Sequence, residues 1–269
     1  MDLATIEDDD HDLPGDSGSE AASGSPAHGD RDRRSRPDRR HQPNTYIQHN
    51  LGAADGLAGF GALMQQLPKG TARVNTARVF QDGDSVFAHT DYDFFGPKIG
   101  FDIFRFENGL IVEHWDNLQE TPKAPNPSGH TMTDGPTVAT DLDKTEANKS
   151  LVRAFVDDIL LNVRAEKLAG YFDGDRYIQH NPAIADGVSC FRAGMAARAK
   201  RGATAKYERL RKVLGEGSLV LVASEVTFGG QAMAFYDLFR IEHDRIAEHW
   251  DTHQAIPPRA GWKNANGKF

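Results

Sequence analysis

Apolar residues recur at helical spacing where the second part of the chain begins. The spacing predicts one helix over Thr145–Val163, because apolar side chains three and four residues apart share a face. Asp143 and Glu146 have the spacing of a capping box, and Thr145 is an alternative N-cap. The predicted buried face consists of Leu151, Val152, Phe155, Val156, Ile159, Leu160 and Val163.

Two further helices and two sets of strands follow from the same patterns. Helices are predicted near Ala165–Tyr171 and over Gly187–Lys200. Runs of strand residues bounded by turn residues predict Ala205–Leu214, Leu219–Thr227, Ala232–Ile241 and Arg245–His253. An earlier set is predicted at Thr71–Gln81, Ser85–Tyr92, Ile99–Glu107 and Leu110–Leu118. Helices followed by a meander of strands predict an α+β fold, in which a curved antiparallel sheet wraps around helices.

Two segments of the sequence occur twice. The five residues of Tyr46–Asn50 recur without change as Tyr177–Asn181. Asp102–Gln119 aligns without gaps on Asp237–Gln254, with ten identities in eighteen positions. The two offsets are 131 and 135 residues, which is too long for a solenoid unit. The chain therefore contains two copies of one domain.

The repeat and the composition together divide the chain into five parts. Residues 1–43 lack Phe, Trp, Tyr and Val, so we expect a disordered tail. The first copy, residues 44–120, lacks an opening helix because the tail stands in its place. A linker with four prolines occupies 121–144. The complete second copy covers 145–258, and a C-terminal tail covers 259–269.

Charge and cysteine content exclude several classes of function. The net charge is −8, but residues 1–43 alone carry eleven acidic residues and six arginines. The remainder is nearly neutral, which gives no support for a nucleic-acid or membrane partner. A single cysteine, Cys190, excludes an intramolecular disulfide and a Cys-rich zinc site. The absence of a long apolar run and of a secretory signal predicts a soluble, cytoplasmic protein.

The candidate chemistry starts from a triplet that ends both copies. His114-Trp115-Asp116 and His249-Trp250-Asp251 lie on predicted strands. Side chains alternate along a strand, so the His and Asp of each triplet share one face and the Trp points to the other. A carboxylate beside an imidazole on one face is a plausible acid/base pair. The alternative is a solvent-exposed His and Asp at a strand end, with Trp as a core residue.

A further aspartate, Asp102, lies fourteen residues before Asp116. A two-residue turn at Asn108-Gly109 would place it opposite Trp115, whereas a three-residue loop with a Gly bulge would place it opposite His114, on the Asp116 face. We favour the bulged loop. Two buried carboxylates on one face would raise each other's pKa, which would suit one of them to carry a proton.

The Tyr-Ile-Gln-His-Asn motif supplies two more histidines, His49 and His180. Ile178 and His180 are two residues apart and share one face of the predicted strand, which suggests that His180 faces inward. A partly buried, hydrogen-bonded histidine is the alternative. Neither an HxH nor an HExxH spacing is present, so we predict no metal.

These residues resemble a known family. Tyr177–Pro182 (YIQHNP), Asp186-Gly187, Phe235–Glu242 (FYDLFRIE) and Ile246–Asp251 (IAEHWD) look like the SnoaL-like polyketide cyclases of the nuclear-transport-factor-2-like (NTF2-like) superfamily. The branch that they resemble most is described as aldol-condensation-catalysing. The resemblance implies two tandem cone-shaped domains packed sheet to sheet as an intramolecular pseudo-dimer, and it leaves a further homodimer open.

The resemblance also implies a cofactor-free aldol-type step in an apolar cone, with a carboxylate general acid/base. That role carries over to Asp251 and Asp116. The family has a histidine where this chain has Asp237 and Asp102, so these positions depart from its pattern. We infer an electrophilic role for the nearby histidines. They are His249 and His180, with His114 and His49 in the first copy.

The expected substrate is a small hydrophobic carbonyl compound bound in the second copy. A strongly raised pKa at Asp251 would favour catalysis, whereas Asp116 is expected to lie in an open, hydrated first cone. The alternative function is a non-catalytic ligand-binding or scaffold module. Candidate substrate-binding residues are Tyr177, Asn181, Phe228, Tyr236, Phe239 and Trp250.

Overall fold

The structure, a computed structural model, describes residues 46–67, 70 and 72–269. It contains two similar α+β units, which we call the first repeat (residues 46–120) and the second repeat (residues 145–255). The tail predicted to be disordered, 1–43, lies outside the described residues. Among the residues described, no helix combines the length and the apolar character needed to cross a bilayer.

The first repeat contains one helix and one five-stranded sheet. Its strand order is β1-β5-β4-β3-β2, and β1 pairs with β5 in parallel. Within the described residues no helix precedes β1. The elements are β1 (Ile47–Gln48), α1 (Gly56–Gln66), β2 (Arg73–Asp82), β3 (Ser85–Asp93), β4 (Pro97–Glu107) and β5 (Leu110–Glu120).

The second repeat has the same sheet order and a more complete helical layer. All eight long strands lie within two residues of their predicted ends. The long strands pair antiparallel as predicted, and the two-residue strands β1 and β6 add one parallel pairing to each sheet. The elements are α2 (Thr145–Phe155), a π-helical segment (Val156–Leu161), a 3₁₀ segment (Ala165–Tyr171), β6 (Ile178–Gln179), α3 (Val188–Lys200), β7 (Ala205–Glu216), β8 (Leu219–Phe228), β9 (Gln231–Glu242) and β10 (Arg245–Ala255).

The opening helix of the second repeat departs from its prediction at both ends. Val163 has a φ of 52° and is 75% exposed, so it does not belong to the buried face. Asp143 lies in a 3₁₀ turn and does not cap the helix. Instead, the hydroxyl of Thr145 donates to the Leu142 carbonyl and accepts from the Gly217 N–H, which ties the start of α2 to the sheet.

The hairpin between β4 and β5 combines a two-residue turn with a bulge. Asn108 and Gly109 both have positive φ, as a type I′ turn requires. One extra residue in β5 then shifts the register, and Asp102 pairs directly with Asp116. The predicted partner, His114, is therefore wrong, although Asp102 does lie on the Asp116 face. The sequence offered a two-residue turn and a bulge as alternatives, and the chain uses both.

The second repeat reproduces this hairpin without a glycine. His243 and Asp244 adopt positive φ at the turn, and a register shift follows in β10. Asp237 consequently pairs with Asp251. The same bulge thus brings two carboxylates together in both repeats.

The two sheets pack face to face through one buried apolar cluster. Asn117 of β5 crosses this interface, donating to the Thr252 carbonyl at 2.7 Å and to the Ala234 carbonyl at 3.1 Å. The cluster includes Phe80, Phe87, Phe101, Trp115, Leu219, Leu221, Tyr236, Leu238 and Trp250. One face of each sheet therefore belongs to the interface.

A segment without regular structure, residues 121–141, leaves the first repeat and packs on the second; we call it the first strap. Asn126 donates to the backbone carbonyls of Gln179 and Ile184. Arg78 of β2 holds the strap from the other side, because its guanidinium lies over Trp250 and donates to three strap carbonyls. Those carbonyls belong to Thr133, Asp134 and Pro136.

Residues 256–269 form the second strap, which leaves the second repeat and packs on the first. Asn264 donates to the carbonyls of Asn50 and Ala53 in the first repeat. Lys268 is 5% exposed and donates to the Asp116 carbonyl at 2.6 Å. Each strap therefore leaves one repeat and packs on the other.

Candidate functional site

A cavity of about 310 Å³ lies between the helices and the sheet of the second repeat, on the sheet face away from the interface. We call it the chamber. Its walls are mostly apolar, and its polar residues converge from β6, β9 and β10. The lining includes Phe155, Ile159, Tyr177, Gln179, Asn181, Ile184, Phe191, Met195, Arg198, Tyr207, Phe235, Asp237, Phe239, His249, Asp251 and His253.

Strand alternation and the β10 bulge bring the polar groups together. His249, Asp251 and His253 occupy alternate positions of β10 and therefore share the chamber face. Asp237 lies opposite Asp251 on β9. Ligand atoms of Asp237, His249 and Asp251 lie within 4.8 Å of one another, and all three residues are buried. The site is thus a compact cluster at the sheet surface.

Asp251 is held in its ionised form. Its Oδ2 lies 3.1 Å from Nε2 of His253 and accepts a hydrogen bond from Asn181 at 2.6 Å. Burial alone would raise the pKa of Asp251, but the charge and hydrogen bond of His253 outweigh it and lower the pKa well below its usual range. The raised pKa that would favour catalysis is therefore not found at Asp251, because His253 lies against this carboxylate and the charge of His249 acts in the same direction.

His253 is the counter-ion of this carboxylate. Burial acts to lower the pKa of His253, but the charge and hydrogen bond of Asp251 raise it above its usual value. Its ring stacks on Phe235, with 3.6 Å between ring centroids. The chamber therefore contains an ion pair on one side.

Asp237 and His249 share a proton on the other side. The Asn181 N–H donates to Oε1 of Gln179, so this oxygen is an acceptor. Nδ1 of His249 lies 2.9 Å from the same oxygen and must carry a hydrogen. Nε2 of His249 then lies 3.0 Å from Oδ1 of Asp237, with one proton between them.

Two carboxylate oxygens of the cluster are buried with no hydrogen-bond partner among the described residues. They are Oδ2 of Asp237 and Oδ1 of Asp251. A buried oxygen left without a donor costs about 1–3 kcal/mol. This cost indicates a place for hydrogen-bond donors from a bound molecule or from water.

In the first repeat, side chains of the sheet and of the second strap cover the equivalent oxygens. The hydroxyl of Tyr92 donates to Oδ2 of Asp102 at 2.9 Å. The ammonium of Lys268 lies 3.3 Å from Oδ1 of Asp116, and Asn50 donates to Oδ2. Asp116 is 4% exposed, so the expectation of an open, hydrated first cone is wrong. The second strap fills the place that was expected to admit water.

Burial also dominates the electrostatics of the first repeat. Burial raises the pKa of Asp102 above its usual value, although its hydrogen bond with His114 acts in the opposite direction. The pKa of Lys268 is lowered by burial, against the attraction of Asp116. The predicted effect of one carboxylate on the other is present at Asp102, but it is smaller than the effect of burial.

His180 and His49 lie on the interface side of the sheets, so the prediction that they face the chamber is wrong. Nε2 of His180 lies 2.8 Å from Glu248, and its ring stacks on Trp250 at 4.6 Å. His49 has the same arrangement in the first repeat. Both faces of each sheet are buried. The isoleucine that shares a face with each histidine therefore indicates burial but does not tell which face lines the chamber.

The predicted substrate-binding residues are divided between the two faces. Tyr236 and Trp250 point into the interface, so their assignment is wrong. Phe228 ends β8 and is not among the residues that line the chamber. The remaining three do line it, namely Tyr177, Asn181 and Phe239.

Sequence reasoning missed several chamber residues. His253 could have been found, because His249, Asp251 and His253 alternate along one strand. Gln179 could also have been found, because it alternates with Tyr177 and Asn181. Arg198 and Tyr207 carry no such signal, since their position depends on tertiary packing.

Among the described residues, two groups of side chains have possible ligand atoms within 4.8 Å of one another, close enough to share a metal ion. The first is the cluster of Asp237, His249 and Asp251. The second, His130, Asp134 and His180, lies at the first strap, where Nδ1 of His180 is already 2.8 Å from Asp134.

No protein-family model matches the chain, and a search of curated proteins finds no match. Among solved structures, a provisionally named ketosteroid isomerase from Kribbella flavida is 17% identical, with a TM-score of 0.36 over 43% of this chain and 84% of that one. A provisionally named polyketide cyclase from Sinorhizobium meliloti is 23% identical, with a TM-score of 0.33 over 38% and 94%.

An NTF2-like protein of unknown function from Cytophaga hutchinsonii is 16% identical, with a TM-score of 0.33 over 45% of this chain and 95% of that one. Each match thus spans most of the other protein and less than half of this chain. Over that part, the chain is similar to these three proteins.

Proposed function

We propose that the second repeat is a small-molecule enzyme of the isomerase or cyclase type, which moves protons on an apolar carbonyl compound. The observation that carries this proposal is the pair of unpartnered carboxylate oxygens in the chamber. The first repeat supports it by contrast, because Tyr92 and Lys268 occupy the equivalent oxygens there. A chamber of about 310 Å³ is at the lower end of the range for small-molecule sites.

The two carboxylates would have different roles. Asp251 is ionised through its pair with His253, and its free Oδ1 would accept the proton from the carbon next to the carbonyl group. The electrons of the broken C–H bond would form the enol double bond. The carbonyl oxygen would receive the proton shared by Asp237 and His249. Each proton then has a named donor and acceptor.

The same enol intermediate serves either reaction type. In an isomerisation, Asp251 would return its proton to a different carbon. In an aldol-type cyclisation, the enol carbon would attack a second carbonyl group of the same molecule, and the oxygen of that group would take the proton from Asp251. In both reactions the enol O–H would return its proton to the Asp237–His249 pair as the first carbonyl group re-forms. The aldol step is the one that the sequence resemblance implies, and the apolar walls would exclude the water that competes for protons.

A non-catalytic binding module is the second candidate. The low pKa of Asp251 favours it, because a strongly stabilised carboxylate is a weak base. The two candidates differ in whether the bound carbonyl compound exchanges protons.

The test is exchange of the α-protons of 2-tetralone with D₂O, followed by NMR. We expect the protein to accelerate exchange, and Asp251→Asn to reduce the acceleration by about 100-fold or more. Asp116→Asn is the matched control in the first repeat and should leave it unchanged. Loss with Asp116→Asn but not with Asp251→Asn would contradict the assignment. Binding of 2-tetralone without exchange would establish the binding module instead.

A further inference from the structure

One cationic side chain of the chamber has no partner. Arg198 lies in the last turn of α3 and lines the chamber, half-buried. Its backbone carbonyl accepts from Arg201 and Ala203, but its guanidinium makes no hydrogen bond or ion pair with any residue that the structure describes. Arg198 lines the chamber together with His253 and Tyr207, and its charge acts to lower the pKa values of both.

The first repeat has no counterpart of this charge. At the spacing of the Tyr-Ile-Gln-His-Asn motif, Asp186-Gly187 aligns with Asp55-Gly56 and Arg198 aligns with Leu67. In the gap-free alignment of Asp102–Gln119 on Asp237–Gln254, His253 aligns with Leu118. The two positions that carry Arg198 and His253 in the second repeat are thus both leucine in the first repeat. In the first repeat, Tyr92 and Lys268 already bind the carboxylates.

The charges of the chamber leave Arg198 unmatched. His253 pairs with Asp251, and Asp237 shares a proton with His249. Asp237 and Asp251 are almost fully buried, whereas Arg198 is half-buried and therefore lies nearer the opening. An incoming ligand would meet a cation at the opening, apolar walls behind it and the carboxylates at the deepest point.

We propose that Arg198 binds the carboxylate of a ligand whose apolar body fills the chamber. This inference rests on the proposed function and narrows its substrate class to apolar carbonyl compounds that carry a carboxylate. The planar guanidinium matches a carboxylate with two parallel hydrogen bonds. A single negative charge fits best, because a dianion would leave one charge unpaired near Asp237 and Asp251.

The test compares two probes of equal shape, 2-naphthoate and 2-naphthamide, by isothermal titration calorimetry. We expect the unmodified protein to bind the carboxylate at least about tenfold more tightly than the amide, as for a charge-assisted hydrogen bond. Arg198→Leu, which installs the residue of the first repeat, should remove this preference. Arg192→Leu, at an exposed position of the same helix, should preserve it.

Thermal unfolding of each variant shows whether it is folded. Equal affinity for the two probes, a preference that survives Arg198→Leu, or failure of the protein to bind either probe would overturn the proposal. The 2-tetralone assay uses a neutral compound and does not depend on Arg198. A negative result here, with exchange still dependent on Asp251, would therefore refute the carboxylate site and leave the proposed function standing.

Discussion

Replacing His253 with leucine tests whether the Asp251–His253 ion pair is structural as well as electrostatic. Leucine stands at the aligned position 118 of the first repeat, so the substitution is one that this fold accepts. In the variant, Asp251 would keep its hydrogen bond from Asn181 but lose its counter-ion. We expect the pKa of Asp251 to rise, because burial would no longer be opposed by a neighbouring cation.

The expected loss of stability follows from the burial of the pair. Removing one partner of a buried ion pair costs about 3–5 kcal/mol. The side chain of Asp251 is 4% exposed and that of His253 is 22% exposed. Water thus reaches the histidine side of the pair, and we expect a decrease of about 3 kcal/mol in the free energy of unfolding, at the lower end of that range.

The pH dependence supplies a second, independent expectation. The pKa of His253 is raised in the folded protein. Its contribution to stability is therefore fully present below about pH 6.5, which is the pKa of a histidine in the unfolded chain. The contribution is lost as the pH rises through the pKa that His253 has in the folded protein. The unmodified protein should therefore lose stability over this interval. His253→Leu should lack that loss, and the stability difference between the two proteins should shrink toward pH 9.

Urea unfolding followed by tryptophan fluorescence at pH 6 and pH 9 measures both effects. His243→Asn is a suitable control, because His243 lies in an exposed turn at positive φ, which asparagine tolerates. A decrease below about 1 kcal/mol at pH 6 would fall within the range of exposed pairs and would refute the burial argument. An unchanged pH dependence in the variant would refute the assignment of the titrating group.

Three further predictions concern the first repeat and the straps. Lys268→Met leaves Asp116 buried without its cation, and we expect urea unfolding to show a loss of about 3 kcal/mol, most of which Lys268→Arg should avoid. Arg78→Met removes three hydrogen bonds to the first strap, so hydrogen exchange in residues 133–136 should accelerate at least about tenfold. Tyr92→Phe leaves Oδ2 of Asp102 without a donor and should cost about 1–2 kcal/mol in unfolding, with 2-tetralone exchange unchanged.

The strands and the repeat were accessible from the sequence because they depend on local patterns. Apolar alternation and turn residues located every long strand to within two residues. Ten identities in eighteen positions established the duplication without any structure. The register at Asp102 was less accessible, since it depends on a bulge that leaves no residue signature in β5.

The side of the sheet that faces the chamber could not be predicted. Alternation correctly separates Tyr177, Gln179 and Asn181 from His180, but both faces are buried, one in the chamber and one in the interface. Hydrophobicity therefore does not distinguish them. Trp250 was misplaced for the same reason.

The first strap gives a segment outside the second repeat a role in the second chamber. Gln179 and Asn181 line the chamber, and the backbone carbonyl of Gln179 is held by Asn126 across the junction between the repeats. The shape of the proposed site therefore depends on the first strap as well as on the second repeat, although the second repeat supplies all of its lining side chains. Cleavage of the first strap would be expected to loosen the chamber, although none of the residues that line it would be altered.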